Sequence, residues 1–343
     1  MRAVVLTGHG GPEVLQVQEQ PDPTVGPGEV RIAVRAAGIN FADTMARVGL
    51  YPEAPKPPCV LGYEVAGEVE SVGEGVTDHK PGDRVVAGTR FGGQASVVSV
   101  PAGQVLPLPE RLGFEQGAAI PVNYATAYCG LVVMGGLKEG ERALIHAAAG
   151  GVGTAAVQIA RMRGAEVFGT ASAPKHAAVR ELGAAHMIDY RTQDFEDEVM
   201  RITGREGIDV AFDAQGPSSF RKSYRVLRPG GRLIMYGLAE ASTGEGRSIP
   251  RLVGSLARMP LATMPWWKSL RVMNENKGVF GLNMLTWWDT EGDMERITGP
   301  LVGEIESGGL EPIVAEAFPF DRAGEAHSFI AERRNIGKVV LVP

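Results

Sequence analysis

The residues with the clearest chemical meaning lie in the stretch ALIHAAAGGVGTAAVQIAR. A short apolar run ends at His146, a glycine-rich turn follows, and a helix is expected to open at about Gly153. Read as a variant of G-x-G-x-x-G, Ala148 stands at the first glycine position, with Gly150 and Gly153 at the second and third. Gly150 allows close approach of a pyrophosphate to the backbone, and Gly153 allows helix and strand to pack tightly. The N–H groups and positive end of the helix then face the phosphates. A plain tight turn is the other reading of any single glycine motif. Here the strand before it, the helix after it and the next strand, Glu166 to Ala171, all agree with a dinucleotide site.

That next strand leads into TASAPKH. An NAD-specific site places a carboxylate here for the ribose hydroxyls. This chain carries Ser172, followed by Lys175, and Asp189-Tyr190-Arg191 closes the following strand. A hydroxyl, a cation and an aromatic flank suit a 2′-phosphate, so NADPH is the expected cofactor. A solvated surface lysine is the alternative for Lys175.

The elements that hold these residues fall into two textures. The first third is rich in short β-type runs, Arg2 to Leu6, Glu29 to Arg35, Val65 to Val72 and Arg84 to Val86, separated by Gly and Pro. That density predicts a β-rich, barrel-like domain. From about Ala118, helical stretches alternate with short apolar strands, the signature of βαβ units and a parallel sheet. Strands are expected at Arg142 to Ala147, Glu166 to Ala171, Ile208 to Asp213, Arg232 to Tyr236 and Val279 to Leu285. Helices are expected at Gly153 to Arg163, Pro174 to Leu182, Ser218 to Leu227 and around Arg251 to Asn274. From the helix before Gly308 to KVVLVP the texture is again strand-like and completes the first domain.

Composition narrows the function. A chain of 343 residues, 44% of them hydrophobic, suits two domains with real cores. A net charge of −6 gives no basic field for nucleic acid. The N-terminus has no signal-type apolar core, and no later run reads as long and apolar enough to span a bilayer. The two cysteines, Cys59 and Cys129, lie far apart without metal-type spacing, which excludes a disulfide framework and a four-cysteine zinc lobe. A reduced, cytoplasmic setting is expected. The six histidines are scattered, and His146 beside the glycine turn has no assigned chemical role.

The motifs AAGINFADTMARVGLYP, PCVLGYEVAGEV, PVNYATAY, HAAAGGVGTAAVQIAR and NIGKVVLVP resemble the medium-chain dehydrogenase/reductase superfamily along the whole chain. They are most similar to its quinone oxidoreductase branch, especially relatives of the vesicle amine transport protein. The resemblance implies an α/β fold: a GroES-like β-rich catalytic domain plus a Rossmann doubly wound parallel sheet, with a cleft between them. It divides the chain into 1–122 with 289–343, and 123–288. Zinc-dependent members carry ligands in a first Cys, a GHE motif and a later Cys or Asp. Here Asn40, Tyr63 and a position near Val122 stand there, and only Glu64 survives. One carboxylate does not make a zinc site. Zinc would otherwise stabilise a developing alkoxide, whereas a quinone or enone spreads the incoming charge into its own conjugated oxygen. The expectation is a zinc-independent reductase of small conjugated carbonyls.

By the same resemblance Asn40, Asp43 and Tyr51 line the nicotinamide and substrate side, and Thr126 lies under the cofactor; Tyr63, where a zinc ligand would stand, offers a hydroxyl. Asn40, Tyr51 and Tyr63 are the candidate catalytic residues, although wall packing serves equally for the tyrosines and a structural acceptor role suits Asp43. The remaining cofactor positions are Ala149, Gly150, Gly151, Val152, Gly153, Ser172, Lys175, Tyr190, Tyr236, Gly237, Phe280 through Leu282, and Lys338. The family's edge strand, here Val279 to Leu285, implies a homodimer. Two other functions stay open. The phosphate-loop segment also resembles polyketide enoyl reductases, and the vesicle-protein likeness includes lipid- or membrane-associated binding proteins. All four tryptophans fall as Trp266-Trp267 and Trp287-Trp288, amid Arg251, Arg258, Lys268 and Arg271. Ordinary packing, a wall of the substrate cleft, subunit contact and peripheral lipid contact all remain readings of that stretch.

Overall fold

A computed structural model describes residues 1–241, 269–288 and 293–343. The expected helix around Arg251 to Asn274 lies largely outside the described residues, as do Trp266 and Trp267; what is described there is a helix at Ser269–Glu275. The chain forms two compact units, one built from Met1–Ala125 and Met284–Pro343, the other beginning at Thr126 and ending at Asn283.

The first unit is β-rich. Strands β1 (Arg2–Leu6), β2 (Leu15–Glu19) and β4 (Cys59–Val60) form a small sheet in the order β2-β1-β4. A seven-stranded sheet contains β3 (Glu29–Ile39), β5 (Glu64–Val72), β6 (Arg84–Gly88), β7 (Val97–Pro101), β8 (Val105–Pro107), β15 (Val314–Pro319) and β16 (Lys338–Val342). Its path runs β15-β16-β3-β5-β6-β8, with β7 on β3. The first turns of β3 show why: Val30, Ile32 and Val34 are buried while Arg31 and Arg35 are not, so alternation puts one face on the core. That core gathers Val30, Ile32, Val65, Val85, Phe320 and Leu341. Helix α1 (Phe41–Arg47) follows β3 after the single residue Asn40.

The second unit is a parallel six-stranded sheet of β9 (Arg142–Ile145), β10 (Glu166–Ala171), β11 (His186–Asp189), β12 (Ile208–Asp213), β13 (Leu227–Met235) and β14 (Gly278–Gly281). Its order, β11-β10-β9-β12-β13-β14, is the doubly wound 3-2-1-4-5-6 arrangement. Helices α4 (Gly151–Met162), α5 (His176–Glu181), α6 (Phe195–Ile202) and α7 (Pro217–Arg225) connect the strands. Every residue of β12 is buried, as a strand covered on both faces must be. Phe168 and Phe212 are fully buried, each worth roughly 1.5–3 kcal/mol by area. A Cβ on Gly130 would meet the Phe212 ring at 2.3 Å, so that glycine sets the close packing of its helix on the sheet.

Several expectations change in detail. The strand expected over Val279 to Leu285 stops at Gly281, because Met284–Trp288 turns helical. Among the described residues it is nonetheless the sheet's edge, paired in parallel with β13 alone. Helix α4 opens at Gly151, two residues before the expected start. Helices α1 and α6 were not expected from periodicity. The run Phe114–Met134, which contains α2 (Phe114–Gly117) and α3 (Pro121–Tyr128), is long and apolar enough to cross a bilayer, contrary to the sequence expectation. Its apolar window is 72% buried inside the protein, as in the core helix of a globular fold.

Candidate functional site

In the second unit, the glycine turn sits at the carboxyl end of β9, where the strand order reverses between β9 and β12. The turn is held by neighbouring strands: the His146 N–H donates to Phe212 O at 3.0 Å and the Ala148 N–H to Thr170 O at 3.0 Å. Ala147 takes a left-handed backbone, φ +50°, and Gly150 N–H closes the turn onto Ala147 O at 2.8 Å. Gly150 caps α4, so the first-turn N–H groups of Gly151, Val152 and Gly153 lack helical partners. A Cβ on Gly153 would meet Ala147 O at 2.1 Å, which no side chain tolerates. On Gly150 a Cβ would meet nothing nearer than Ala147 O at 3.3 Å, leaving the space beside it open. Ala148 and Ala149 are buried beneath. This backbone cradle, with free donors at the start of a 12-residue helix, fits a pyrophosphate.

His146, which has no role legible from sequence, has a mechanical one beneath this turn. Ser223 Oγ donates to Asp213 Oδ2 at 2.7 Å, so it accepts from His146 Nε2 at 3.0 Å; Nδ1 is then the acceptor for Thr170 Oγ1 at 3.2 Å. Ser219 Oγ also donates to Asp213 Oδ2. Burial holds the imidazole pKa below its ordinary value, against the pull of Asp213. The network ties β9, β10, β12 and α7 together under the turn. Its members are scattered in sequence, and no spacing announces them.

The other cofactor candidates of this unit gather at carboxyl ends of the same strands. Ala171 pairs with Asp189, so Ser172 and Tyr190 leave adjacent strands side by side. Ser172 is buried and its carbonyl accepts from Lys175 N–H at 2.9 Å, folding a short turn back on the strand end. Tyr190 is 40% exposed. The Asp189 carboxylate is turned to its own loop, accepting from Arg191 N–H at 3.1 Å and Thr192 Oγ1 at 3.0 Å, and these bonds hold its pKa low. Tyr236 follows β13 and stacks on Phe212 at 3.9 Å, and Gly237 packs on Ala214, where a Cβ would approach to 3.0 Å. Phe280 is exposed on the edge strand; Leu282 is buried just past it, its N–H donating to Met235 O at 2.9 Å. Thr126 is buried on α3.

The candidate catalytic residues belong to the first unit. Asn40 caps α1, and its N–H donates to Asp43 Oδ2 at 2.7 Å; Asp43 Oδ1 accepts from Gly62 N–H at 3.0 Å. Asp43 is fully buried, and that desolvation lifts its pKa to about 7 despite both bonds. Its structural acceptor role is therefore visible. Tyr51 and Tyr63 meet edge to face at 6.3 Å, and Tyr63, nearly buried, leans on Phe91 at 5.1 Å. Burial pushes the Tyr51 hydroxyl up to about 12 and the Tyr63 hydroxyl up as well.

Two of the three positions that hold zinc ligands in related enzymes converge on Glu64. Glu64 Oε1 accepts from Asn40 Nδ2 at 3.0 Å and from Lys338 Nζ, and Oε2 accepts from Val122 N–H at 2.7 Å. The carboxylate, fully buried, thus accepts from three donors. Gly38 makes room for it, since a Cβ there would meet Glu64 Oε1 at 2.7 Å. Lys338, expected at the cofactor, is 2% exposed, with its ammonium on Glu64 and on Asn40 Oδ1. Among the described residues no three His, Cys, Asp or Glu side chains cluster as a metal site would require.

The alcohol dehydrogenase GroES-like domain family matches residues 26–110, and the zinc-binding dehydrogenase family matches residues 151–259. The chain is 40% identical over 354 residues to the Homo sapiens synaptic vesicle membrane protein VAT-1 homolog, covering 100% of this chain and 86% of that one. It is similar to the Escherichia coli quinone oxidoreductase solved in complex with NADPH, with 31% identity, full coverage of both chains and a TM-score of 0.85. It is also similar to the CurK enoyl reductase, with 28% identity, coverage of 99% and 98%, and a TM-score of 0.84. The chain therefore belongs to the medium-chain dehydrogenase/reductase superfamily of nicotinamide-dependent oxidoreductases and resembles the VAT-1 homologues within it.

Proposed function

We propose that this protein is an NADPH-dependent, zinc-independent reductase that transfers a hydride to quinones or related conjugated carbonyls. The observation that carries the reading is the Glu64 carboxylate, filled by Asn40, Lys338 and Val122 where related enzymes build a zinc site. Three protein donors already engage this carboxylate and Asn40 is no thiolate, so the deprotonated N, S or O ligand set that zinc needs is not assembled there. Without a Lewis acid, the acceptor must delocalise the incoming charge itself, which favours conjugated carbonyls.

Bound NADPH supplies the hydride. The first-turn N–H groups of Gly151, Val152 and Gly153 bind its pyrophosphate, and Ser172, Lys175 and Tyr190 bind its 2′-phosphate. Tyr236, Gly237, Phe280, Leu282 and Thr126 flank the rest of the cofactor. Asn40 presents a carboxamide to the reacting end. Tyr51, with its pKa pushed up to about 12, keeps its proton at neutral pH and so acts as a hydrogen-bond donor rather than a base. Because β14 is the edge strand of the sheet among the described residues and carries exposed Phe280, two copies pair there as a homodimer.

A second reading, reduction of a 2-enoyl thioester, is favoured by the likeness to the CurK enoyl reductase across 99% of this chain. NADPH oxidation measured with a quinone panel, a simple enone and a crotonyl thioester separates the two. Turnover with the quinones at higher kcat/KM than with the thioester is the expected result; the reverse order selects the enoyl reductase. No turnover with any acceptor rejects both and leaves a binding role, which co-sedimentation with anionic vesicles then tests.

A further inference from the structure

Asn40 is the one candidate catalytic side chain whose two ends are both held. Its Oδ1 accepts from Lys338 Nζ at 2.6 Å and its Nδ2 donates to Glu64 Oε1 at 3.0 Å. This fixes the amide orientation by charge. Flipped, the NH₂ group would face an ammonium and the oxygen would face a carboxylate, replacing two attractions with two repulsions. The supports are themselves anchored in strands and hydrogen bonds. Lys338 begins β16, with its N–H on Ile313 O at 2.8 Å, and Glu64 begins β5, with its second oxygen on Val122 N–H. The Asn40 backbone is pinned separately by Asp43. With one Nδ2 hydrogen spent on Glu64, the planar geometry of the amide sends the other away from that carboxylate. Asn40 is half-buried, and among the described residues no acceptor for that second hydrogen is present.

We propose that Glu64 and Lys338 are positioning residues that lock the Asn40 carboxamide with one N–H directed at a carbonyl oxygen of the bound ligand. This rests on the reductase reading, in which Asn40 serves the reacting end. The oxygen belongs either to the acceptor, where charge develops as hydride arrives, or to the nicotinamide carboxamide. A donor held in place before the reaction needs no reorganisation when that charge appears. The buried Lys338–Glu64 pair thereby does through one amide what a free asparagine, rotating in solvent, would not.

The test compares wild type, Asn40→Ala, the charge-removing pair Glu64→Gln/Lys338→Met, and the combination of all three changes. In asparagine-¹⁵N protein, the Asn40 side-chain signal is the one missing from Asn40→Ala. In wild type its two protons are expected to be well separated, with the Glu64-bonded one protected from exchange. In the double variant the separation should collapse and protection fall at least tenfold. Turnover should drop in the double variant about as far as in Asn40→Ala, and the same pair of changes should cost nothing further once Asn40 is absent. Lys338→Arg, which keeps a charged donor, should retain the signal and most of the turnover; it carries the comparison if the double variant does not fold. A fall in kcat with acceptors assigns the oxygen to the acceptor, and a fall in NADPH affinity by fluorescence titration assigns it to the nicotinamide. Unchanged Asn40 signals in the double variant, or equal losses with and without Asn40, overturn the proposal. Wild type that reduces no acceptor overturns the reductase reading instead, while the Asn40 signals still decide the positioning.

Discussion

The Lys338 ammonium donates to the Asn40 carboxamide oxygen at 2.6 Å although 298 positions of sequence separate the two residues. The same ammonium reaches Glu64, and the side chains of that ion pair are 2% and 0% exposed. A buried pair is costly to break because the survivor is left charged and unpaired, typically by about 3–5 kcal/mol. Lys338→Met should therefore lower stability by about that amount in urea unfolding, and adding Glu64→Gln should restore much of it. If the double variant is no more stable than the single one, the pair is not the source of the loss.

Cofactor choice is expected to follow the strand ends at Ser172 and Tyr190. NADPH should bind more tightly than NADH, and Lys175→Ala should narrow the difference. A charge-assisted contact to phosphate is worth on the order of 1.5–3 kcal/mol, roughly tenfold to a hundredfold in affinity. Quenching of intrinsic fluorescence during titration reads both constants, and equal affinities in the wild type would refute the assignment.

The purified protein should carry no stoichiometric zinc, and chelators should leave turnover unchanged, because Glu64 is engaged by three protein donors and, among the described residues, no zinc-type ligand set surrounds it. Elemental analysis giving one zinc per chain would contradict this.

Assembly should depend on the outer side of β14. Leu282 N–H bonds inward to Met235, so by the two-residue alternation of a strand the Val279 and Gly281 N–H groups face the open edge. A proline at Val279 removes an outward donor without breaking the ladder to β13. Light scattering should report a dimer for wild type and a monomer for Val279→Pro at micromolar concentration. A monomeric wild type would count against the proposed interface, and so would a variant that stays dimeric.

Acid sensitivity should trace in part to His327. It is fully buried, neither ring nitrogen has a hydrogen-bond partner among the described residues, and desolvation together with nearby Arg47 lowers its pKa from 6.5 to about 3. The unfolded chain takes up that proton first, so the contribution is present above pH 6.5 and is lost as pH falls toward 3. Within that window the loss is about 1.4 kcal/mol per pH unit. His327→Phe should flatten the fall in unfolding free energy between pH 6.5 and pH 4.5 relative to wild type. Parallel pH profiles for the two proteins would show that His327 takes up its proton at the same pH in the folded and unfolded states, and would overturn the assignment.

Local signals made half of this protein legible. The glycine turn at Gly150 and Gly153, and the alternation of helix and strand around it, required only neighbours in sequence, so motif and periodicity exposed a parallel sheet of βαβ units with a candidate phosphate turn, and the family resemblance supplied its doubly wound order. The absence of zinc-type ligands at Asn40, Tyr63 and Val122 was likewise a matter of residue identity. Where local pattern and local structure diverged, the cause was also local: Leu282 and Leu285 continue an apolar run, but the backbone leaves the sheet at Gly281 to begin a helix. What the sequence could not determine was which polar residues meet. His146, Thr170, Asp213 and Ser223 come from three strands and a helix, and Lys338, Glu64 and Asn40 from three separate stretches of the chain. No period or spacing links them, because their partnership is set by strand order and by burial, which makes an unpaired charge or N–H costly inside the fold. Tertiary structure alone turned Lys338 from a terminal lysine near a closing strand into the internal cation that holds Asn40.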